Sequence, residues 1–571
     1  MSDPIKTDVF ICGGGPVGLL TAYSLALQGV TSVIVEKHDT AQQAMYGRAG
    51  TLYPRTLEML DQLQLLDELN QIGYIARNSV TYKNGQLITS RGWHIMYQRM
   101  HETFMDYILN IRQKYSEDAF RAAYEKLGGT PYIGWQLETF SVDESCEDDY
   151  KVTSTIKNVS SGKTLTVKSK FIVGADGGHS LVRRLANIAS EGDRTEFKWV
   201  RIDGHFRTDM PDADLGFASI ESESHGNVLW VQMDHGVKRI GFAMTEEMLA
   251  KYGDNLTLED AKAEAVKSMA PFTLEFDSIT WWTLYSIGQR VAETFVKDDR
   301  VILAGDACHT HSSGAAQGMN TGVHDSVNLS WKLGGAIKGW YSPEVLRTYD
   351  TERRPAAQHL IHLDKTFSAS ISGKVPDSYK DQNITADELF TKTFDDNIQF
   401  NIGLGIHYDE NILNRPSLAT MVTAGWRAPD ATVYAPGSKF PIRLFQLTKN
   451  TGAWSIVILA GHPDKTRKNL THAIQELQKL QERLPSEMLR FITVVAQAVG
   501  GGDQWYQIPK IGRLYYDAER SAHTAYTVSD STGAVAIVRP DGLLGYATRL
   551  DDLSHVEEYF SGFVAPAYMK D

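Results

Sequence analysis

The stretch from Asp8 to Glu36 confines this chain to few folds. Asp8–Cys12 is a short apolar run that feeds Gly13-Gly14-Gly15-Pro16-Val17-Gly18. Leu19–Gln28 then has helical character, Gly29 stops it, and Thr31–Glu36 is apolar again. Strand, Gly-rich turn, helix and strand within about 30 residues make the βαβ unit of a dinucleotide-binding α/β fold. There Gly13 permits the tight turn, Gly15 lets a pyrophosphate approach the backbone, and Gly18 lets helix and strand pack closely. Glu36, followed by Lys37, closes the second strand. Its carboxylate can accept both ribose hydroxyls of an adenosine and would repel a 2′-phosphate. FAD or NAD, rather than NADP, is the expected occupant, with Gly13, Gly15, Pro16, Gly18, Glu36 and Lys37 as contacts.

Two later segments repeat a strand running into Gly-Asp. Phe171–Val173 leads into Gly174-Ala175-Asp176-Gly177-Gly178 before a helix start near Leu181; a plain turn with an N-cap accounts for it equally well. Val301–Asp306 leads into a glycine-bearing loop and a helix from about Thr321. Asp306 can accept a ribityl hydroxyl, while a helix N-terminus near Gly318, Met319 and Asn320 offers N–H groups to flavin pyrimidine oxygens and stabilises an anionic reduced flavin. The combination narrows the dinucleotide to FAD. His309 and His311 have no carboxylate or thiolate at matching spacing, so no metal is expected.

A chain of 571 residues exceeds one hydrophobic core. Strand-like segments Val228–Gln232, Arg239–Met244 and Ile279–Ile287 separate the flavin motifs. The expected fold is α/β. A discontinuous Rossmann-like FAD-binding domain takes residues 1–200 and 290–370, with a substrate-binding β-sheet domain inserted at 200–290 plus about 78–100. Residues 371–425 form a connector and 426–571 a small α/β domain. Arg55–Asn70 and Thr103–Leu127 are expected to be helical.

A net charge of −13 argues against nucleic acid or an anionic membrane as partner. No stretch approaches 18 uninterrupted apolar residues. Cys12, Cys146 and Cys308 are the only cysteines and lack CxxC spacing, which suits a reducing, cytoplasmic setting.

The order GxGxxG, then Gly174-Ala175-Asp176-Gly177 through Ser180 and Arg183, then Gly305-Asp306 through Gln317-Gly318-Met319-Asn320 and Asn328-Leu329-Ser330-Trp331-Lys332-Leu333 resembles the single-component FAD-dependent aromatic hydroxylases. Cys308–Ser312, Tyr285–Arg290, Glu352–Pro355, Gly425–Asp430 and Val538–Gly542 are similar to the phenol hydroxylase branch, over nearly the whole chain. The resemblance implies that NADPH reduces FAD, O₂ adds at flavin C4a, and the hydroperoxide hydroxylates an electron-rich ring. An FAD-linked oxidase or dehydrogenase, or a catalytically silent flavin protein, is the alternative. It also implies a homodimer and a thioredoxin-like C-terminal domain, here with no cysteine after Cys308 and hence no redox chemistry of its own. By the same resemblance Arg48 contacts the FAD pyrophosphate and Arg99 reaches the cofactor.

The chain departs from that pattern at the substrate side. The carboxylate that deprotonates the phenol falls at Gly50, its partner tyrosine at Gly241, and a proline of the flavin-facing loop at Ser313-Gly314, while Arg239 is kept. Two glycines are expected to widen the pocket for a bulkier phenolic or enolic, polyketide-type substrate held by aromatic contacts such as Trp93, Trp230 and Trp282. Tyr46, His225 or His235 would then serve as substitute base, or the substrate arrives already reactive.

Overall fold

The computed structural model describes residues 3–46, 49–312, 316–438, 440–499 and 507–569, apart from the side chains of Tyr46, residues 194–197 and Ile287. Strand Ile5–Cys12 lies between Thr164–Gly174 and Ser32–Glu36, with Val301–Leu303 and Tyr132–Ile133 outside them, all parallel. Val9, Phe10, Ile11, Ile172, Val173, Ile302 and Leu303 are buried. Strands apolar on both faces are what a parallel sheet between two layers requires. The hairpin Val152–Asn158 and Thr164–Gly174 returns to this sheet antiparallel. Helices Pro16–Ala26 and Gly318–Ile337 run side by side, joined where Thr21 Oγ1 donates to Ser326 Oγ (3.0 Å) and Gln28 Nε2 to Ser330 O (3.1 Å).

The second sheet has eight strands, mostly antiparallel, centred on Glu275–Ala292, Ser190–Arg207, Lys238–Ala243 and Gly226–Gln232. Asn78–Lys83 and Gln86–Ile88 complete one edge, and the sheet begins at Ser190, ten residues before the expected boundary. Alternation fixes its two faces. Val200, Ile202, Phe206, Trp230, Ile240 and Phe242 pack under helices Glu246–Tyr252 and Leu258–Ser268. Trp199, Arg201, Asp203, Arg239 and Gly241 take the opposite parity and face the flavin-motif domain, where a Cβ placed on Gly50 would lie 2.9 Å from Arg239 Nη1.

Within the seven-stranded third sheet, four neighbouring strands run Leu489–Val495, Trp454–Leu459, Ala534–Val538, Leu544–Arg549, the first two parallel to each other and the other two pairings antiparallel, with helix Pro463–Arg483 as crossover. That is the thioredoxin arrangement. Where a thioredoxin keeps its thiols, after Leu459, the Gly461 N–H instead donates to His523 Nε2 (3.0 Å), whose Nδ1 meets Asp517 (2.8 Å). A buried ionic cluster joins this domain to the first: Arg539 binds Glu352 (2.7 and 2.9 Å) and Asp541, and Glu352 also takes Lys332 (2.6 Å). Burial pulls Lys332 down to about 8.

Two expectations about elements need correction. Thr103–Leu127 is helical only over Gln113–Lys126; residues 107–111 are all buried, and Ile108–Asn110 is a strand paired on both sides. Arg55–Asn70 splits into Pro54–Gln62 and Leu66–Ile72 because Gln64 turns left-handed (φ 61°). The 371–425 segment carries helices Ala386–Asp396 and Ile398–Asn401, whose Phe394 packs on Trp93 (centroids 4.6 Å).

Candidate active site

The carboxyl ends of the parallel strands converge at Cys12, Glu36, Gly174 and Leu303, where ligands bind in open α/β sheets. Each glycine of the first loop does a different thing. A Cβ on Gly13 (φ 108°) would lie 2.2 Å from Ala175 O, and one on Gly18 would lie 2.0 Å from Gly13 O. A Cβ on Gly15 would meet nothing within 4 Å. The first and third glycines close the fold; the second opens it. Helix Pro16–Ala26 starts at Pro16 with Gly15 as an uncapped N-cap. Glu36 Oε2 accepts the Gly14 N–H (2.9 Å) and Oε1 the His38 N–H (2.8 Å), which holds the carboxylate at the rim of the same opening. Lys37 beside it is exposed.

The Gly305–Asp306 turn meets this loop through Val17: Cβ atoms on Gly305 and Gly322 would come within 2.8 and 2.6 Å of Val17 Cγ2. Asp306 is exposed between buried Gly305 and Ala307. Helix Gly318–Ile337 also starts without a side-chain cap, and Gly318, like Gly15, has open space where a Cβ would be. Two uncapped positive helix ends thus reach one groove, which suits an anionic dinucleotide and an electron-rich pyrimidine edge. Met319 is buried. Asn320 does not offer its side chain to the groove: Oδ1 accepts the Tyr53 N–H (2.9 Å) and Nδ2 donates to Thr51 O (2.9 Å) and Ala316 O (2.8 Å), a clamp between the helix start and the 51–53 segment.

Asp176 acts on its own chain. Its Oδ2 accepts the Leu181 and Val182 N–H groups (2.6 and 3.2 Å), the capping explanation, while Oδ1 is buried without a partner. No carboxylate stands at metal-ligand spacing from His309 in the sequence, yet the fold brings one to it: Nε2 lies 2.7 Å from Asp325 Oδ2, and Cys308 Sγ lies near both. A helix brings Asp325 back from sixteen residues on. Its oxygens are already engaged by the Gly305 N–H (2.9 Å) and Arg353 Nε (2.7 Å). Burial alone would raise Asp325, but His309 and Arg353 hold it well below the carboxylate range. The cluster anchors the Gly305 turn from behind.

Arg99 is exposed, and its carbonyl accepts a hydrogen bond from Gln399 Nε2 (3.1 Å). Arg48 and Ser313-Gly314 lie outside the described residues, as does the Tyr46 side chain. Sequence reasoning missed Arg112 and Gln113. Gln113 Oε1 accepts the Ala49 N–H (3.2 Å), and Arg112 grips Asp234 through its backbone N–H (2.7 Å), Nε (2.9 Å) and Nη2 (2.6 Å). The short apolar run Tyr107-Ile108-Leu109 just before them was the available signal of a strand.

The substrate side corrects the sequence reading most. Gly50 and Gly241 do not widen the pocket. A Cβ on Gly50 would sit 2.7 Å from Met233 Cε, besides the Arg239 contact, and one on Gly241 would sit 2.3 Å from Arg201 Nη1. Gly50 itself is buried, its carbonyl accepting the Ile111 N–H (3.1 Å). Arg239 is bidentate to Asp203 (2.7 and 2.8 Å). Trp230 and Trp282 belong to the core under the two helices, and so does His225, 3.4 Å from Glu264. Trp199 and Trp281, of the other parity, lie beside Arg201 and Arg239 at 4.9 and 5.4 Å. Trp93 packs on Phe217 (5.0 Å) next to Met233. His235 sits in a turn (φ 53°), half-exposed, with its ring on Tyr115 and Nδ1 3.1 Å from Asp234.

Residues 6–364 match the FAD binding domain family and residues 406–568 the phenol hydroxylase C-terminal dimerisation domain. The chain is 31% identical to 3-hydroxybenzoate 4-monooxygenase of Comamonas testosteroni over 98% of this chain and 95% of that one. It is 30% identical to the FAD-dependent monooxygenase hkm7 of Aspergillus hancockii over 70% and 77%. The solved flavin-dependent monooxygenase PieE, in complex with FAD and substrate, superposes with a TM-score of 0.75 at 19% identity and full coverage of both chains, a likeness of fold. Among the described residues no helix is long and apolar enough to cross a membrane.

Proposed function

This chain belongs to the FAD-dependent aromatic monooxygenases that join an FAD-binding domain to a phenol hydroxylase-type dimerisation domain, and from that premise we propose how its residues divide the work. The pyrophosphate of FAD lies over Gly15 and Pro16, the adenosine ribose on Glu36, and the ribityl chain on Asp306. The pyrimidine edge faces the N–H groups of Gly318–Asn320. When bound, FAD supplies the electron transfer and oxygen activation that no side chain here can supply. NADPH is the reductant, and the substrate is a phenolic or enolic ring lying between the groove and the Arg201–Arg239 face, with His235 at the rim. Residues 406–568 pair two copies of the chain.

One observation carries this reading: two uncapped helix N-termini and two open glycines, Gly15 and Gly318, share one groove. The test is anaerobic stopped-flow bleaching of the FAD-loaded protein by NADPH and by NADH, with and without phenolic ligands. A phenolic ligand is expected to accelerate bleaching by NADPH. Equal, slow bleaching under every condition would remove the reading.

A further inference from the structure

The last hairpin of the C-terminal domain turns at Arg539-Pro540-Asp541-Gly542, between strands Ala534–Val538 and Leu544–Arg549. Hairpin tips ordinarily lie in solvent; all four residues of this one are buried. The turn closes on itself, with the Arg539 N–H donating to Leu543 O (2.8 Å) and the Gly542 N–H to Arg539 O (2.9 Å). Its other polar atoms reach three helices of the first domain. Asp541 O accepts from Arg55 Nη2 (2.8 Å) on Pro54–Gln62. The Asp541 carboxylate accepts from Asn328 Nδ2 (3.2 Å) and Trp331 Nε1 (3.1 Å) on Gly318–Ile337. Arg539 grips Glu352 on Pro343–Ile371 through Nη1 (2.7 Å) and Nη2 (2.9 Å).

Each of these helices also carries a segment of the flavin groove. Beside Glu352, Arg353 Nε holds Asp325 (2.7 Å), which takes the Gly305 N–H (2.9 Å) and so fixes the turn that presents Asp306. About three turns further along the same helix, Asp364 takes the Ser312 N–H (2.6 Å) and hydroxyl, next to the flavin-facing loop. The second helix begins at Gly318, the open end in the groove. The first follows Tyr53, whose N–H is clamped by Asn320 (2.9 Å). Within the buried cluster the cations Arg539 and Lys332 face the carboxylates Glu352 and Asp541. Removing one member leaves an uncompensated buried charge that only movement of the helices can relieve.

We propose that the buried hairpin tip Arg539–Gly542 is a positioning element of the flavin site: it locks three helices in the arrangement that sets FAD affinity, so the C-terminal domain serves the cofactor as well as pairing two copies of the chain. The contacts run from Arg539 to Glu352, from the adjacent Arg353 to Asp325, and from Asp325 to the Gly305 turn. Coupling of this kind is reciprocal, so FAD that fixes the Gly305 turn also tightens the seat of the tip. The proposal rests on FAD lying along Gly15, Asp306 and Gly318, and its test needs neither reductant nor substrate.

FAD affinity, read by flavin fluorescence, and the unfolding temperature of the apoprotein are measured for Arg539→Met, Arg539→Lys, Asp541→Asn and Leu477→Ala. The last removes a buried side chain from the domain's own crossover helix, away from the tip. Arg539→Met and Asp541→Asn are expected to weaken FAD binding about tenfold, and Arg539→Lys to restore it to within about threefold of native. Leu477→Ala is expected to lower the unfolding temperature at least as far while FAD affinity holds. FAD affinity that falls in step with unfolding temperature across all four variants, or that moves in none, overturns the proposal. Should the tip variants fail to fold, hydrogen exchange in the native protein decides. FAD loading is expected to slow exchange in peptides covering 538–543 at least about threefold more than in those covering 470–480; equal slowing overturns the proposal. A native apoprotein that takes up no FAD removes the monooxygenase reading as well, whereas tight native binding with indifferent variants removes the role of the tip alone.

Discussion

The flavin groove and the substrate face use glycine in opposite ways. In the groove, no atom of the described residues comes within 4 Å of a Cβ placed on Gly15 or Gly318, the space that the proposed function gives to FAD. On the substrate face the space beside Gly50 and Gly241 is filled by the guanidiniums of Arg239 and Arg201. A missing side chain therefore signals room for a ligand only when no neighbour is long enough to reach in. What distinguishes the cases is the neighbours: a loop over two helix ends in one, adjacent strands bearing arginines in the other.

Substitutions to alanine can break this contrast. The largest effect is expected at Gly13→Ala, where φ of 108° and the carbonyl oxygen of Ala175 at 2.2 Å leave no room for a Cβ. Several kcal/mol of destabilisation should follow, read as loss of soluble, FAD-retaining protein. Gly241→Ala comes next: its Cβ would lie 2.3 Å from Arg201 Nη1 and 2.4 Å from Cδ, side-chain atoms that can shift. A cost of about 1–3 kcal/mol should appear in thermal unfolding, with weakened aromatic-ligand binding and unchanged FAD content. Gly15→Ala should do the reverse. Its backbone is extended (φ −75°) and its surroundings empty, so the unfolding temperature should hold while FAD affinity drops by about 1–3 kcal/mol, measured by flavin fluorescence. If Gly15→Ala destabilised the apoprotein and Gly241→Ala did not, the contrast would be wrong.

The smallest effect concerns a carboxylate on the helix that supports the groove. Burial raises Glu117 from 4.5 to about 7, against the lowering by its hydrogen bond from Gln113 (2.8 Å). A carboxyl that holds its proton more tightly when folded stabilises the fold fully below the unfolded value and loses that contribution as pH rises from about 4.5 to 7. Glu117→Gln should flatten this part of the stability profile by on the order of 1–3 kcal/mol, seen in urea melts at pH 5 and pH 8.

The groove was legible because its chemistry is local: Gly13, Gly15 and Gly18 have fixed tasks within six residues, and Asp306 follows its own turn. The substrate face was less legible, since its character depends on strand parity and on partners far along the chain. Trp281 and Trp282 are adjacent in sequence and lie on opposite faces, a distinction that only register with Asp203 and Ile202 reveals. Arg201 reaches the position left by Gly241 through cross-strand pairing forty residues away. Asp325 meets His309 because a helix turns back over the strand end, beyond any short-range motif. Asn320 sits where the helix-end argument places it, yet its side chain serves the fold rather than the groove. The α/β class, with an FAD-binding part and a distinct C-terminal part, was readable from the order of motifs, while the start of the second sheet at Ser190 carried no punctuation that marks it.

The most direct test of the account is isotopic. FAD-loaded protein, NADPH and the phenolic ligand that most accelerates flavin bleaching are incubated under ¹⁸O₂, and the product is analysed by mass spectrometry. The account predicts one ¹⁸O atom per product molecule, gained in step with NADPH consumed. Product oxygen drawn from water, or NADPH consumed wholly to hydrogen peroxide with every such ligand, would contradict it.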